Sequence, residues 1–347
     1  MTTRRIFLRH LTILSGGLMA ACGAPAQTTA PEAGPTDAPS AAPPLPTQVP
    51  DPSESDDPTS IDLLTPNADG VIVLATGLDF PEGPAFDPQG NLWCTELNAG
   101  TILKLVDGQP VRYPIDGGPG GRGNGMAFDK LGRAWVADSG RNAIQRFDPA
   151  NEQWETILDM VDNQPLQSPN DLCFDSAGNL LFTCPNFNNT DPTGYVVCLR
   201  PDGTAKKIVE GFYRPNGLDV VEGGKALVVA DTYRKTLFKG AWDAASATWS
   251  DPRAWAEVGG TEGPDGMTPG ADGLLYQAIY GDGVVRVVGP DGRVLNEIKV
   301  PGANPTNVAI DPSGALGIVI TETEKGQLIS LPGYRPGVAI FDGGDAW

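Results

Sequence analysis

The stretch "DFPEGPAFDPQGNLWCTE" (residues 79–96) consists of two short apolar runs joined by a turn rich in Asp, Pro and Gly. That is the pattern of a β-hairpin. Glu82 lies between Pro81 and Pro84 at the start of the first run, where a buried charge is costly unless something pairs with it. The phrase recurs five more times, aligned on the hairpin glycine: "RGNGMAFDKLGRAWVAD", "SPNDLCFDSAGNLLFTC", "RPNGLDVVEGGKALVVAD", "GPDGMTPGADGLLYQAI" and "NPTNVAIDPSGALGIVITE". The column that Glu82 opens continues with Asn124, Asn170, Asn216, Asp265 and Thr306, at intervals of 41–49 residues. Four strands of about six residues with short connections fill such a period. Each copy therefore reads as a four-stranded antiparallel blade, and six copies predict an all-β, six-bladed β-propeller. The segment "GVIVLATGL" (70–78) is expected to add a strand that closes the ring against the last blade.

The propeller is expected to span residues 61–347. Ahead of it, Arg4 and Arg5 followed by Phe7, Leu8 and Arg9 read as a twin-arginine export signal over residues 1–21. The apolar run from Leu11 to Ala21 is too short to span a bilayer. "LMAAC" resembles a lipobox, with Cys22 the residue to be lipidated; the alternative is cleavage after Ala21 with Cys22 incidental. Residues 23–60 contain no Lys or Arg and little to bury, so residues 22–60 read as a lipidated Cys and a disordered tether. The expectation is an exported bacterial envelope protein, held by a lipid at Cys22 or free in the periplasm or outside. A lipid anchor is its only expected contact with a membrane.

Composition excludes several functions. With 43 acidic against 24 basic residues, the chain carries a net charge of −19, which argues against nucleic acid as a partner. The single histidine, His10, lies within the signal. Serine or cysteine chemistry that relies on histidine, and His-bearing zinc sites, are thereby removed. Cys94, Cys173, Cys184 and Cys198 show no C-x-x-C spacing, which argues against a thiolate metal site, and the sequence assigns no disulfide pairing among them.

In a propeller, one position of every blade returns to the same height and radius, so the column predicts a ring of polar residues around a common axis. A proline precedes five of the six, and Gly123 takes that place before Asn124. Any one "PNG" or "PDG" is equally a turn. Together, two carboxylates and several amides at one axis would repel or stay unsatisfied unless they share a cation. Glu82, Asn170, Asn216 and Asp265 are thus candidate ligands of one divalent ion. All-oxygen donors suit calcium before magnesium, manganese or zinc.

The phrases "FPEGPAFD", "SPNDL", "RPNGLDV" and "GPDGM", in this order at blade spacing, resemble the senescence-marker-protein, gluconolactonase and regucalcin-like family. The resemblance implies a six-bladed propeller with one divalent cation, hydrolysing lactones and some other esters. It assigns the cation to Glu82, Asn170, Asn216 and Asp265, with Asp265 the general base. Asp171 is a second candidate base or orienting residue; alternatively it bonds local backbone. Arg122, Arg214 and Asn124 are candidate substrate contacts, the arginines alternatively pairing with surface acids. The chain departs from relatives at Ser168, where some carry arginine, and at Cys184, where bacterial members often carry an acid. Tyr213 and Tyr280 read as packing or rim residues, and Glu96, Asp138, Asp231 and Glu322 as acids that bond loop backbone.

The expected activity is metal-assisted opening of a small-molecule lactone or ester, in which the ion polarises the carbonyl and Asp265 deprotonates water. Two alternatives remain open at this point: a phosphotriesterase-like hydrolase, and a non-catalytic envelope propeller in which the ion is a plug.

Overall fold

The computed structural model describes residues 70–117, 120–187, 190–334, 342–344 and 347. The export signal, Cys22, the tether and residues 61–69 lie outside the described residues. Six four-stranded antiparallel sheets follow one another along the chain, and the protein is a six-bladed β-propeller. Blade I comprises Pro81–Phe86, Leu92–Glu96, Thr101–Val106 and Gln109–Pro114. Blades II to VI begin with Gly123–Phe128, Leu172–Phe174, Pro215–Val221, Gly263–Pro269 and Pro305–Ile310. The strand Ile72–Thr76 pairs antiparallel with Gln327–Leu331 and becomes the outer strand of blade VI. The first strand of the domain thus closes the ring on the last hairpin, as "GVIVLATGL" predicts. Two short 3-10 turns, Ile115–Gly117 and Glu222–Gly224, fall between strands.

The "FD…G" turn of the first three blades explains why those hairpins form where they do. Asp87 Oδ1 accepts the backbone N–H groups of Gln89 and Asn91 at 3.0 and 2.9 Å, while Oδ2 accepts the Trp93 indole at 3.0 Å. Asp129 repeats the arrangement with Leu131, Arg133 and Trp135. One carboxylate therefore shapes the turn and ties it to the bulkiest side chain of the next strand.

Adjacent blades meet through their apolar faces, with one hydrophobic cluster at each of the six seams. Trp93 and Trp135, 1% and 0% exposed, fill two of them, and truncating either to alanine would cost about 3–5 kcal/mol. Glu96, Asp138, Asp231 and Glu322 end the second strands of their blades and accept N–H groups from neighbouring loops, among them those of Asp79, Arg122, Tyr213 and Asn304.

Cys94, Cys173, Cys184 and Cys198 are free and buried. Burial pushes the thiols of Cys184 and Cys198 up to about 12, so neither carries thiolate at neutral pH. Maleimide treatment of the native protein, mapped by mass spectrometry, is expected to leave all four unlabelled. Denaturation without reductant should expose all four; a requirement for reductant would instead reveal a disulfide.

Candidate functional site

The first strand of each blade departs from regular pairing at the column. Register slips between Glu82 and Ala85, Gly123 and Met126, Pro215 and Leu218, Pro264 and Met267, and Pro305 and Asn307. In blade III the strand begins at Leu172, two residues after Asn170. Bulges of this kind re-aim a side chain away from its ladder. As a result Glu82, Asn124, Asn170, Asn216 and Asp265, one from each of five blades, line a single cavity of about 320 Å3. Thr306 departs from the expected ring. It is fully buried and its hydroxyl donates to the Pro81 carbonyl at 2.8 Å, with Thr321 Oγ1 also 2.8 Å away. A short hydroxyl beside a neighbouring blade's carbonyl satisfies backbone rather than facing the cavity. Thr306 still touches the ring, because a hydrogen bond with its side chain favours the ionised form of Glu82.

Bonds between blades hold the column backbone. The Thr95 hydroxyl donates to the Asn124 carbonyl at 2.7 Å, and that of Thr183 to the Asn216 carbonyl at 2.8 Å. Thr232 does the same for Pro264 at 2.7 Å, and Gln277 Nε2 donates to the Asp265 carbonyl at 3.0 Å. The Gly125 N–H donates to the Asn170 carbonyl at 2.7 Å. Asn170, Asn216 and Asp265 are thus tied to the neighbouring blade or to the adjacent strand of their own.

Asp171 does not line this cavity. It lines a separate one of about 140 Å3 together with Asp219 and Asn307. Its Oδ1 accepts the Leu172 N–H at 2.9 Å and its Oδ2 accepts Asn307 Nδ2 at 3.4 Å. Gly125 and Gly266 make this possible, because a Cβ on either would collide with the side chain of Asp171 or Asn307 respectively. Asp171 therefore bonds local backbone, next to the ring but facing away from the cavity the ring lines.

Both arginines line the cavity. Arg122 is exposed and donates to Asn98 Oδ1 at 3.2 Å. Arg214 is half-buried, and its guanidinium lies 5.3 Å from the centre of the Phe187 ring. Tyr280 lines the cavity as well. Tyr213 instead packs against Tyr233, ring centres 5.2 Å apart, beneath Arg234. Sequence reasoning missed Phe80, Leu97, Phe187 and Glu262, which complete the wall. Phe80 and Phe187 hold left-handed backbone, φ 60° and 40°, a strained state for an aromatic residue that clusters at functional sites. The available signal for Phe80 was its place directly before the Pro81–Glu82 pair.

The ring's charge is poorly compensated by protein groups. Desolvation, then the charge of Asp265, then that of Asp171, push the Glu82 carboxyl well above the usual carboxylate range. Desolvation also raises Asp265, to about 7, although the nearby Arg214 charge and a hydrogen bond with Asn216 work against it. Glu82 Oε2 and Asn170 Oδ1 are buried without any hydrogen-bond partner. Such atoms cost free energy unless a ligand engages them. No three His, Cys, Asp or Glu side chains converge among the described residues. The donors that do converge are two carboxylates and three amides, a set that fits a hard divalent cation.

A family profile described as the "SMP-30/Gluconolactonase/LRE-like region" matches residues 80–321. The gluconolactonase of Zymomonas mobilis is 28% identical over 286 residues, 73% of this chain and 78% of the relative. Lactonase drp35 of Staphylococcus aureus is 28% identical over 229 residues, 64% of this chain and 70% of the relative. Among solved structures, a gluconolactonase from Xanthomonas campestris superposes with a TM-score of 0.69 at 27% identity, covering 79% of this chain and 93% of its own.

Raised carboxyl pKa values set the pH response of the cation-free domain. As pH climbs from the unfolded value, 3.8 for Asp265, towards about 7, the unfolded chain gives up its proton first, and the folded state loses stability. The melting temperature in chelator is therefore expected to fall between about pH 4 and about pH 7. Glu82→Gln and Asp265→Asn should each flatten that fall. A flat or rising wild-type profile would contradict the electrostatic picture.

Proposed function

Given that the chain belongs to the SMP-30/gluconolactonase/LRE-like family, we propose that it is a hydrolase that opens lactones in the cavity lined by the column residues. The observation that carries this reading is the pair of orphaned buried oxygens, Glu82 Oε2 and Asn170 Oδ1. They belong to a five-blade ring in a chain whose relatives are a gluconolactonase and a lactonase. Glu82, Asn170, Asn216 and Asp265 are the residues to hold one divalent cation, calcium first, since two carboxylates offset its charge and amide oxygens add neutral donors. When bound, such an ion supplies Lewis acidity towards the ester carbonyl and its developing oxyanion.

The protein's own groups do the rest. Asp265, whose carboxyl sits near neutrality through burial, is the group to take a proton from the attacking water. Asn124 and Arg122 offer donors that orient a ring oxygen or hydroxyl. Phe80, Leu97 and Tyr280 provide apolar surface that limits water around the reacting ester. A cavity of about 320 Å3 is at the small end of ligand pockets, which run from roughly 300 to 1,000 Å3, and suits a monocyclic substrate. Cyclic esters are activated relative to amides, so no covalent nucleophile is required. That accords with a sequence whose only histidine is His10.

The test combines metal analysis with hydrolysis of a lactone panel including glucono-δ-lactone. Chelation should abolish turnover and added calcium should restore it. Asp265→Asn should lower kcat by about 10²–10⁴-fold, the range of a general base, and Glu82→Ala should lose both bound metal and activity. Full activity in Asp265→Asn would remove it as the base. Unchanged metal content and activity in Glu82→Ala would remove the site. Metal binding without turnover of any lactone, ester or phosphotriester would favour a binding propeller.

A further inference from the structure

The cavity holds a guanidinium, Arg214, that forms no ion pair with the ring carboxylates. Arg133, Arg141, Arg146, Arg234 and Arg286, with side chains 16–22% exposed, each form an ion pair with a carboxylate. Arg214 is half-buried too, yet it forms no ion pair among the described residues, and its Nε is buried with no partner. In a chain with 43 acidic and 24 basic residues, partners are not scarce. The Arg214 charge favours the ionised form of Asp265, with which it shares the cavity, but the two form no ion pair. Asp231, at the end of the second strand of the same blade, is already committed: its Oδ2 accepts Arg234 at 2.8 Å and the Tyr213 N–H at 3.0 Å. Its Oδ1 accepts the Arg214 backbone N–H at 3.3 Å. Asp231 thereby fixes the main chain that carries Arg214 and leaves the guanidinium to the cavity. Glu262, the remaining acid of the wall, is exposed and makes no ion pair among the described residues.

The surroundings of Arg214 suit an anion. Its guanidinium lies 5.3 Å from the Phe187 ring centre, a cation–π arrangement that holds the group while its donor edges stay free. Glu82 and Asp265 balance a divalent ion by themselves, so Arg214 adds surplus positive charge beside it. Two neighbouring cations repel unless an anion lies between them. A planar carboxylate matches the guanidinium fork better than any neutral ring substituent.

We propose that Arg214 is a specificity-determining residue and that the preferred substrates are lactones carrying a free carboxylate in addition to the ester that is cleaved. The carboxylate binds Arg214 while the ester faces Asp265. This rests on the lactonase reading and narrows it to acidic lactones.

The test uses two lactones of one ring, 5-oxotetrahydrofuran-2-carboxylate and its methyl ester. The wild-type protein should favour the carboxylate in kcat/KM by at least about tenfold, mainly through KM. Arg214→Met should collapse that ratio towards one, and Arg214→Lys should keep part of it. Equal losses on both compounds would place Arg214 on the ester carbonyl and overturn the proposal, as would a wild type without preference. Tetrahydrofuran-2-carboxylate, which has no ester, supplies a second measurement by calorimetry against its carboxamide. Binding of the carboxylate that Arg214→Met weakens at least about tenfold supports the anion site even if neither lactone is hydrolysed, and in that case it is the lactonase reading that fails. Equal binding of carboxylate and carboxamide overturns the anion site whether or not lactones turn over.

Discussion

Two carboxylates buried in one cavity, Glu82 and Asp265, are the constraint around which the rest of this propeller is arranged. Each is desolvated and each feels other acids; among the described residues neither forms an ion pair, and only Asp265 feels an opposing charge, that of Arg214. Taking such charges out of water without partners costs several kcal/mol per group. A fold that keeps them must either protonate them or bind a cation. The ring geometry favours the second solution, because neighbouring amide oxygens, one of them also orphaned, face the same space.

Holding that ring requires rigidity from distant parts of the chain. Blade seams filled by Trp93, Trp135 and their neighbours fix the blades against one another. Threonine hydroxyls on the second strands of blades I and III, and just past that of blade IV, then clamp carbonyls at or beside the column in the next blade. Bulges convert a regular strand into one that delivers a side chain at its end. Gly125 and Gly266 leave room for Asp171 and Asn307 to meet, where larger residues would push the first strands apart. Packing, backbone bonds and site chemistry are therefore one system, and a change in any seam reaches the ring.

Much of this was legible in the sequence, since repetition carries register. Six aligned hairpins give the blade count, and one column gives the residues that five blades bring together. Thr306 shows where that reasoning fails, because alignment places a residue at a height but does not decide whether its hydroxyl serves backbone or cavity. Asp171 fails for a related reason. In a strand, neighbouring residues face opposite sides, and here the side chain after Asn170 turns to another cavity. Phe187 was not legible as a wall residue, because its position depends on left-handed backbone in a loop that no repeat marks, whereas Phe80, beside the repeated phrase, was marked by place but not by its left-handed backbone. Arg214 was legible as a candidate, but its lack of a carboxylate partner became visible only in three dimensions.

The most direct test of the account is calcium titration by calorimetry near pH 7 in buffers of differing ionisation enthalpy. Carboxyl groups raised by burial hold protons that a divalent cation must displace. The protein should bind one calcium per chain with net proton release, and Glu82→Gln and Asp265→Asn should bind more weakly with less release. Binding without proton release, or an identical response in both variants, would contradict this.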